Sequence, residues 1–375
     1  MATFTKRVFT LHAWLGLVAG GFILVFALTG AALVFSHELD AAANQEQRVI
    51  PAPRPGQRPL PYDVLYANAR AYAAPRGYAV GAFRDLPQQP TGTIDVVLLK
   101  GEDYVSVFLN PYTGQVLGPR QHELTRWLLE LHYTYFLGTV GEALAALFAL
   151  ALLGSVLTGL VVYRKHLGAV LLFRQPISWR NWRTAASGLH RVLGVWTWLF
   201  NLVQAVSGAW FLLYLLEPGT WQPTVVPAPP APVATSLDAA VRRARQLLPE
   251  AQLTYLNFPR TAADTTGEFY LNEPGRWWLG EWGSTVTYSA RTGYVLRVVR
   301  ESELPLGEQV DKTLGELHFG RYGGLAGKLL YCLGGLLTAT ISLTGFALWW
   351  RRRRPRNSGG RANKKAGPSA RLAPA

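Results

Sequence analysis

Four apolar runs fix what this chain can become: Leu11 to Phe35, Ala143 to Tyr163, Leu189 to Leu216 and Leu325 to Trp350. A hydrocarbon layer about 30 Å thick is crossed by roughly 20 helical residues, and each run is long enough. None carries a charge deep in its middle. With 49% hydrophobic and only 16% charged residues, the chain is too apolar for an ordinary soluble protein. The expected class is a membrane α-helical protein. Its transmembrane helices are placed at 11–36, 138–163, 188–216 and 323–350, as TM1 to TM4.

The charges orient these crossings. The N-terminus carries Lys6 and Arg7, the Arg164 to Arg183 stretch carries five basic residues, and the tail after Trp350 carries nine; none of the three holds an acidic residue. The two long segments between crossings are slightly acidic, with 9 basic against 10 acidic residues over 38–131 and 9 against 12 over 217–317. The positive-inside rule puts both termini (1–10 and the disordered basic tail 351–375) and the loop 164–187 in the cytoplasm. Segments 37–137 and 217–322 then face outward, in the periplasm if the membrane is a bacterial inner membrane. The net charge of +14 is concentrated in these flanks, so it reads as topology and attraction to the lipid bilayer's anionic headgroups rather than nucleic-acid binding. The first run follows basic residues as a signal peptide would, but its length and lack of a small-residue cleavage site favour an uncleaved anchor. The single cysteine, Cys332, lies inside the fourth run, so no disulfide holds either outer segment and no CxxC motif exists.

Both outer segments read alike. After the Pro-rich link Pro51 to Pro61, Tyr62 to Tyr72 has helical spacing, and Thr93 to Leu99 and Tyr104 to Leu109 alternate as strands do. A turn is predicted at Asn110 to Gly114. In the second segment, Pro227 to Pro232 is the link and Ser236 caps a helix through Leu248. Strands near Glu268 to Leu271 and Thr285 to Tyr288 follow, with the same turn at Arg291 to Gly293. Each copy starts and ends inside, which is a parallel duplication with a pseudo-twofold axis along the membrane normal.

The duplication keeps histidines. His12 to Gly30 and His190 to Gly208 both span 18 positions (30 − 12, 208 − 190), and His132 to Gly159 and His318 to Gly345 both span 27 (159 − 132, 345 − 318). Across the pseudo-twofold, His12 faces His190 at the inner margin and His132 faces His318 at the outer margin. Opposed imidazoles in a four-helix bundle are what a bis-histidine haem requires, because a flat macrocycle takes axial ligands from both faces. The only methionine is Met1, so other axial ligands are scarce. The rival reading of any one histidine is a polar residue snorkelling at a helix end, or a relic of duplication kept for packing. His37, near the outer margin, is a reserve ligand; its repeat equivalent is Leu215, and that of His166 is Arg352. His122 reads as a surface residue. Glycines 16, 20, 138, 141, 194, 324 and 327 serve either close approach of a porphyrin or helix packing, since Gly16/Gly20 and Gly323/Gly327 fit GxxxG. The tryptophans in or beside the crossings read as interfacial or core residues.

Leu11-His12-Ala13-Trp14-Leu15-Gly16-Leu17, Leu28-Thr29-Gly30, Glu38-Leu39-Asp40, the Leu-His pairs at 131 and 317, and the Thr-Gly pairs at 158 and 344 together resemble the PepSY-associated transmembrane family. The resemblance covers residues 5 to about 352. It implies four membrane helices with two periplasmic α+β PepSY-like domains, in iron-regulated inner-membrane proteins. Some members are thought to be dihaem reductases that release iron from ferric siderophores. Relatives with fused flavin or nicotinamide domains differ from this chain, which has no GxGxxG and no Walker motif. An external donor, a quinol or a cytoplasmic reductase, is then required.

The leading expectation is a b-haem-dependent ferric-siderophore reductase with two haem b groups, on His12/His190 and on His132/His318. The substrate is a ferric siderophore or other ferric chelate, with Arg126, Arg321 and Tyr322 as candidate contacts; no catalytic side chain is assigned. The alternative is a non-enzymatic PepSY membrane protein binding a peptide, a protease or an envelope partner. A siderophore or metal permease ranks last, because the crossings show no buried carboxylate and no obvious broken helix.

Overall fold

The apolar runs fold as helices that lean on one another and on an antiparallel sheet built from the polar segments. The computed structural model describes residues 2–87, 89–101, 103–216, 230–274 and 283–353. Residues 227–229 of the second Pro-rich link and the basic tail beyond Arg353 lie outside them. In the first half, α1 (Ala2–Leu33) is followed by α2 (Ser36–Ala43), α3 (Gln45–Arg48), α4 (Tyr62–Ala73), β1 (Ala79–Arg84), β2 (Ile94–Lys100), β3 (Asp103–Leu109), β4 (Val116–Pro119), α5 (Glu123–Tyr133) and α6 (Gly138–Tyr163). A short α7 (Leu167–Leu171) precedes the second half. There α8 (Trp182–Trp196), α9 (Trp198–Trp210), α10 (Leu237–Leu247), β5 (Gln252–Asn257), β6 (Thr266–Asn272), β7 (Ser284–Ser289), β8 (Val295–Val299), α11 (Leu306–Phe319) and α12 (Gly324–Arg353) follow.

Four segments are long and apolar enough to cross a membrane: Thr3–Leu33, Gly138–Tyr163, Trp198–Leu216 and Gly324–Arg351. α1 packs against α6 and α12, α9 packs against α6, and α8 against α12. The third crossing departs from the uninterrupted helix expected at 188–216. The helical stretch begins earlier, at Trp182, breaks for one residue at Thr197 (φ −98°, ψ 5°) just before the apolar span, and tightens to a 3-10 turn over Phe211–Leu216. The buried Thr197 hydroxyl donates to the Leu193 carbonyl at 2.8 Å, a back-bond that bends helices. Asn201 Nδ2 donates to Thr197 Oγ1 at 2.9 Å, and Thr338 Oγ1 donates to Asn201 Oδ1 at 2.8 Å. The crossing is therefore broken, contrary to the expectation of an unbroken helix, and its polar groups satisfy one another.

Two helices missing from the sequence reading carry histidines. His132 and His318 stand in the last turns of α5 and α11, not on loops leading into the crossings. The turn from α5 to α6 holds Tyr135 (φ 51°) and Phe136 (φ 60°) in the left-handed region, at a cost of order 1–3 kcal/mol each. Gly141 lets that turn fold back: a Cβ there would stand 1.6 Å from the Thr134 carbonyl oxygen. Gly327 does the same beneath the Tyr322 carbonyl, at 1.8 Å. These two glycines serve the turns rather than a helix crossing or a macrocycle.

The outer segments also differ from two separate modules, because they share one sheet. Its order is β4-β3-β2-β1-β5-β6-β7-β8, all antiparallel, with β1 and β5 joined at Ala82↔Asn257 and Phe83↔Leu256. Neither β1 nor β5 is foreseen from the sequence. One sheet face and helices α4 and α10 enclose the core of Leu65, Phe83, Leu98, Leu256, Phe269 and Tyr288. The predicted turns form, with Gly114 at φ 70° and Gly293 at φ 71°. α4 and α10 cap each other. Asp238 accepts from the Tyr62 and Asp63 amides, both at 3.0 Å, and Asp63 accepts from Ser236 Oγ at 2.6 Å and from the Leu237 amide. A buried ion cluster ties the sheet to the crossings: Arg120 pairs with Asp40 of α2 at 2.8 Å and with Asp95 of β2, and Thr125 of α5 donates to Asp40 at 2.6 Å.

Candidate functional site: two histidine pairs

His12 on α1 and His190 on α8 face each other with ring centres 6.2 Å apart and planes at 74°. His132 and His318 do the same at the sheet side of the bundle, 6.3 Å apart at 62°. The separation has a chemical meaning. Two imidazoles sharing one metal ion at about 2 Å each, with the ring centre about 1.1 Å beyond the nitrogen, lie about 6.2 Å centre to centre.

Each ring is gripped the same way, by the hydroxyl-glycine pairs that the sequence repeats. His12 Nδ1 lies 3.1 Å from Thr158 Oγ1, His132 Nδ1 2.8 Å from Thr29 Oγ1, His190 Nδ1 3.3 Å from Thr344 Oγ1, and His318 Nδ1 2.9 Å from Ser207 Oγ. All four hydroxyls also donate to the carbonyl one turn back, Thr158 to Gly154 and Thr29 to Val25 at 2.6 Å, Ser207 to Val203 at 2.7 Å, Thr344 to Thr340 at 2.8 Å. With its proton committed there, the hydroxyl oxygen accepts from the imidazole Nδ1–H. His12 and His190 donate in addition to the backbone carbonyls of Ser155 and Ile341, both at 3.0 Å, and a carbonyl can only accept. The proton therefore sits on Nδ1 in each ring. Nε2 keeps its lone pair and makes no hydrogen bond among the described residues, which is the state a metal-binding histidine needs.

The glycine after each hydroxyl makes room for the ring. A Cβ at Gly30 would stand 3.2 Å from His132 Cε1, at Gly159 3.2 Å from His12 Cε1, at Gly208 3.6 Å from His318 Cε1, and at Gly345 3.1 Å from His190 Cε1. One turn along from His12 and His190, Gly16 and Gly194 face open space, with nothing within 4 Å of a Cβ. Gly16 and Gly20 therefore do not close a helix crossing. At the sheet side, burial pushes His132 down to about 4 and His318 to about 3, keeping both neutral at ordinary pH. Phe26 stands beside His132 at 5.4 Å, and Phe211 beside His318 at 5.2 Å.

The remaining candidates do not join the pairs. His37 is exposed on α2. His122 Nδ1 lies 3.2 Å from the Arg120 carbonyl and its ring stacks on Tyr104, while exposed His166 lies against Tyr163. Arg126 is exposed over the Tyr104 ring at 5.6 Å. Arg321 is committed to the buried Glu316 at 2.8 Å. Tyr322 is half-buried, and burial raises its hydroxyl to about 12. Sequence reasoning assigned no role to the hydroxyls of Thr29, Thr158, Ser207 and Thr344, which hold the four rings; their recurrence beside glycine was the available signal.

No curated protein matches the chain. The family described as PepSY-associated TM region matches residues 9–352, nearly the full length, and the chain is a multi-pass membrane protein belonging to that family.

Proposed function

We propose that this protein carries electrons across a bacterial inner membrane and reduces a ferric siderophore or similar ferric chelate in the periplasm. The observation that carries the reading is the metal-sharing separation of both histidine pairs, with Nδ1 engaged in all four rings and Nε2 left with its lone pair. His12 with His190, and His132 with His318, would each hold one haem b. The residues fit that group: the ring spacing would let two imidazole nitrogens share one iron, the rings are neutral, and Gly16 and Gly194 leave space beside the far pair. A bound haem supplies a one-electron carrier.

The charge pattern supports putting His12/His190 on the cytoplasmic side and the sheet in the periplasm. An external donor, a quinol or a cytoplasmic reductase, supplies the electron, and the chelated Fe(III) takes it up to become Fe(II). Siderophore oxygens suit the harder Fe(III), so the reduced ion leaves more readily. Arg126 and Tyr322 remain the proposed contacts for an anionic chelate, whereas Arg321 is engaged with Glu316 and acts on the turn instead.

The test is a reduced-minus-oxidised absorption spectrum of the purified protein with haem extracted and counted. Two b-type haems per chain are expected, with His12→Ala and His132→Ala each retaining one. A colourless protein, after expression with ample haem, would overturn the proposal and favour the partner-binding role for the sheet domain.

A further inference from the structure

The two pairs are gripped unequally. His12 and His190 each donate to a backbone carbonyl at 3.0 Å as well as to a hydroxyl, whereas the close Nδ1 contact of His132 and of His318 is to a hydroxyl. The carbonyls in the corresponding place, those of Phe26 and Gln204, accept from the Thr29 and Ser207 hydroxyls at 3.3 Å; Phe26 gives the His132 ring only a weak further contact, and Gln204 gives the His318 ring none. We infer that Ser155 and Ile341, through these carbonyls, poise the His12/His190 centre at a lower reduction potential than the His132/His318 centre. The inference rests on the haem reading above.

The physical link runs through the ring. A stronger acceptor on Nδ1–H draws the proton outward and leaves more electron density on Nε2, and a more basic axial ligand favours the ferric state. The hydroxyls are weaker acceptors than amide carbonyls and are the main acceptors at the sheet side. Arg191, next to His190, opposes the effect by favouring the ferrous state, but its side chain is exposed and screened.

The consequence is direction. His12 and the Thr29 that grips His132 are separated by 17 residues of α1 (29 − 12), about 26 Å at 1.5 Å per residue. Over such a gap a potential step biases an electron toward the sheet side and disfavours its return. Ser155 and Ile341 are positioning residues in this account, since they act on the histidines and touch no substrate.

The experiment is a potentiometric titration of the purified haem-loaded protein, followed by visible absorption. Two waves are expected, separated by at least a tenfold difference in ferrous-to-ferric ratio, about 59 mV for one electron. Thr29→Val with Ser207→Ala removes the hydroxyl acceptors at the sheet side, so the upper wave should rise and the lower stay in place. Thr158→Val with Thr344→Val leaves both carbonyls, so the lower wave should move less than the upper one does in the first pair. If the double variant fails to assemble, Ser207→Ala alone makes the same test. A single unsplit wave in the unaltered protein, or a sheet-side variant that moves the lower wave, overturns the inference while leaving the haem reading intact. A protein without haem overturns both.

Discussion

Gly345 and His190 fit together with no room to spare: a Cβ on the glycine would stand 3.1 Å from Cε1 of the histidine. The neighbouring Thr344 hydroxyl accepts from the same ring, so a bulkier residue at 345 pushes the imidazole off its hydroxyl and its carbonyl together. Gly345→Ala asks the ring to yield by a few tenths of an ångström and should retain two haems per chain. Gly345→Val places further carbons in the ring's path and should lower the count from two to one. Haem extraction from both purified variants checks this, and full occupancy in the valine variant would contradict it.

The sequence displays the pairs but conceals how they are held. His12, His132, His190 and His318 stand out because repetition over long separations is readable without any structure. The Thr-Gly and Ser-Gly positions repeat just as faithfully, yet a threonine in an apolar run reads equally as a back-bonded helix residue, and each of these four is one. That the same oxygen accepts from a ring 103 to 154 positions away depends on helix packing. β1 and β5 were missed for a different reason. Buried where the halves meet, Ala79–Arg84 reads as a nearly continuous apolar patch without alternation, and Gln252–Asn257 is interrupted by a register shift near Tyr255. The break at Thr197 escaped because a single threonine among apolar residues carries no helix-stop signal.

Asp63 and Asp238 are expected to be coupled in stability. Each carboxylate accepts backbone amides at the start of the other half's helix, so either substitution by Ala removes a cap worth about 1–2 kcal/mol and leaves the partner in place. Chemical unfolding of the full-length protein in detergent should show each loss. The double variant should cost less than the sum if the second cap depends on the first helix being held, and a strictly additive result would show the caps to be independent.

A pH effect is expected from Glu38. Its hydrogen bond to Lys328, at 2.6 Å, holds the carboxyl below its ordinary 4.5. A carboxyl depressed by folding stabilises the folded state above its unfolded value, and that contribution disappears as pH falls through the folded one. The side chain is 53% exposed, so the pair contributes under about 1 kcal/mol. Glu38→Gln should therefore lower thermal stability slightly at pH 7 and not at all once the native carboxyl is protonated, with the difference shrinking in high salt. An equal loss at both pH values would assign the effect to packing.

Arg120 should be the costliest charge to remove from the sheet domain. Its guanidinium lies between Asp40 and Asp95, whose side chains are 11% and 1% exposed, and of these two carboxylates Arg84 pairs with Asp95 alone, at 3.3 Å. Arg120→Met keeps much of the volume but leaves Asp40 with the Thr125 hydroxyl and no counter-charge. Breaking a buried pair by removing one partner typically costs about 3–5 kcal/mol. Because Asp40 stands on α2 and Thr125 on α5, the damage should reach the helix that ends in His132. The expected result is a lower unfolding midpoint together with faster amide exchange in α5 and β2, while α8 and the His190 region stay protected. Restoring neutrality with Asp40→Asn in the same chain should recover part of the loss, because the stranded carboxylate is then gone. If Asp40→Asn brings no recovery, the cost of Arg120→Met lies in lost side-chain packing rather than in uncompensated charge.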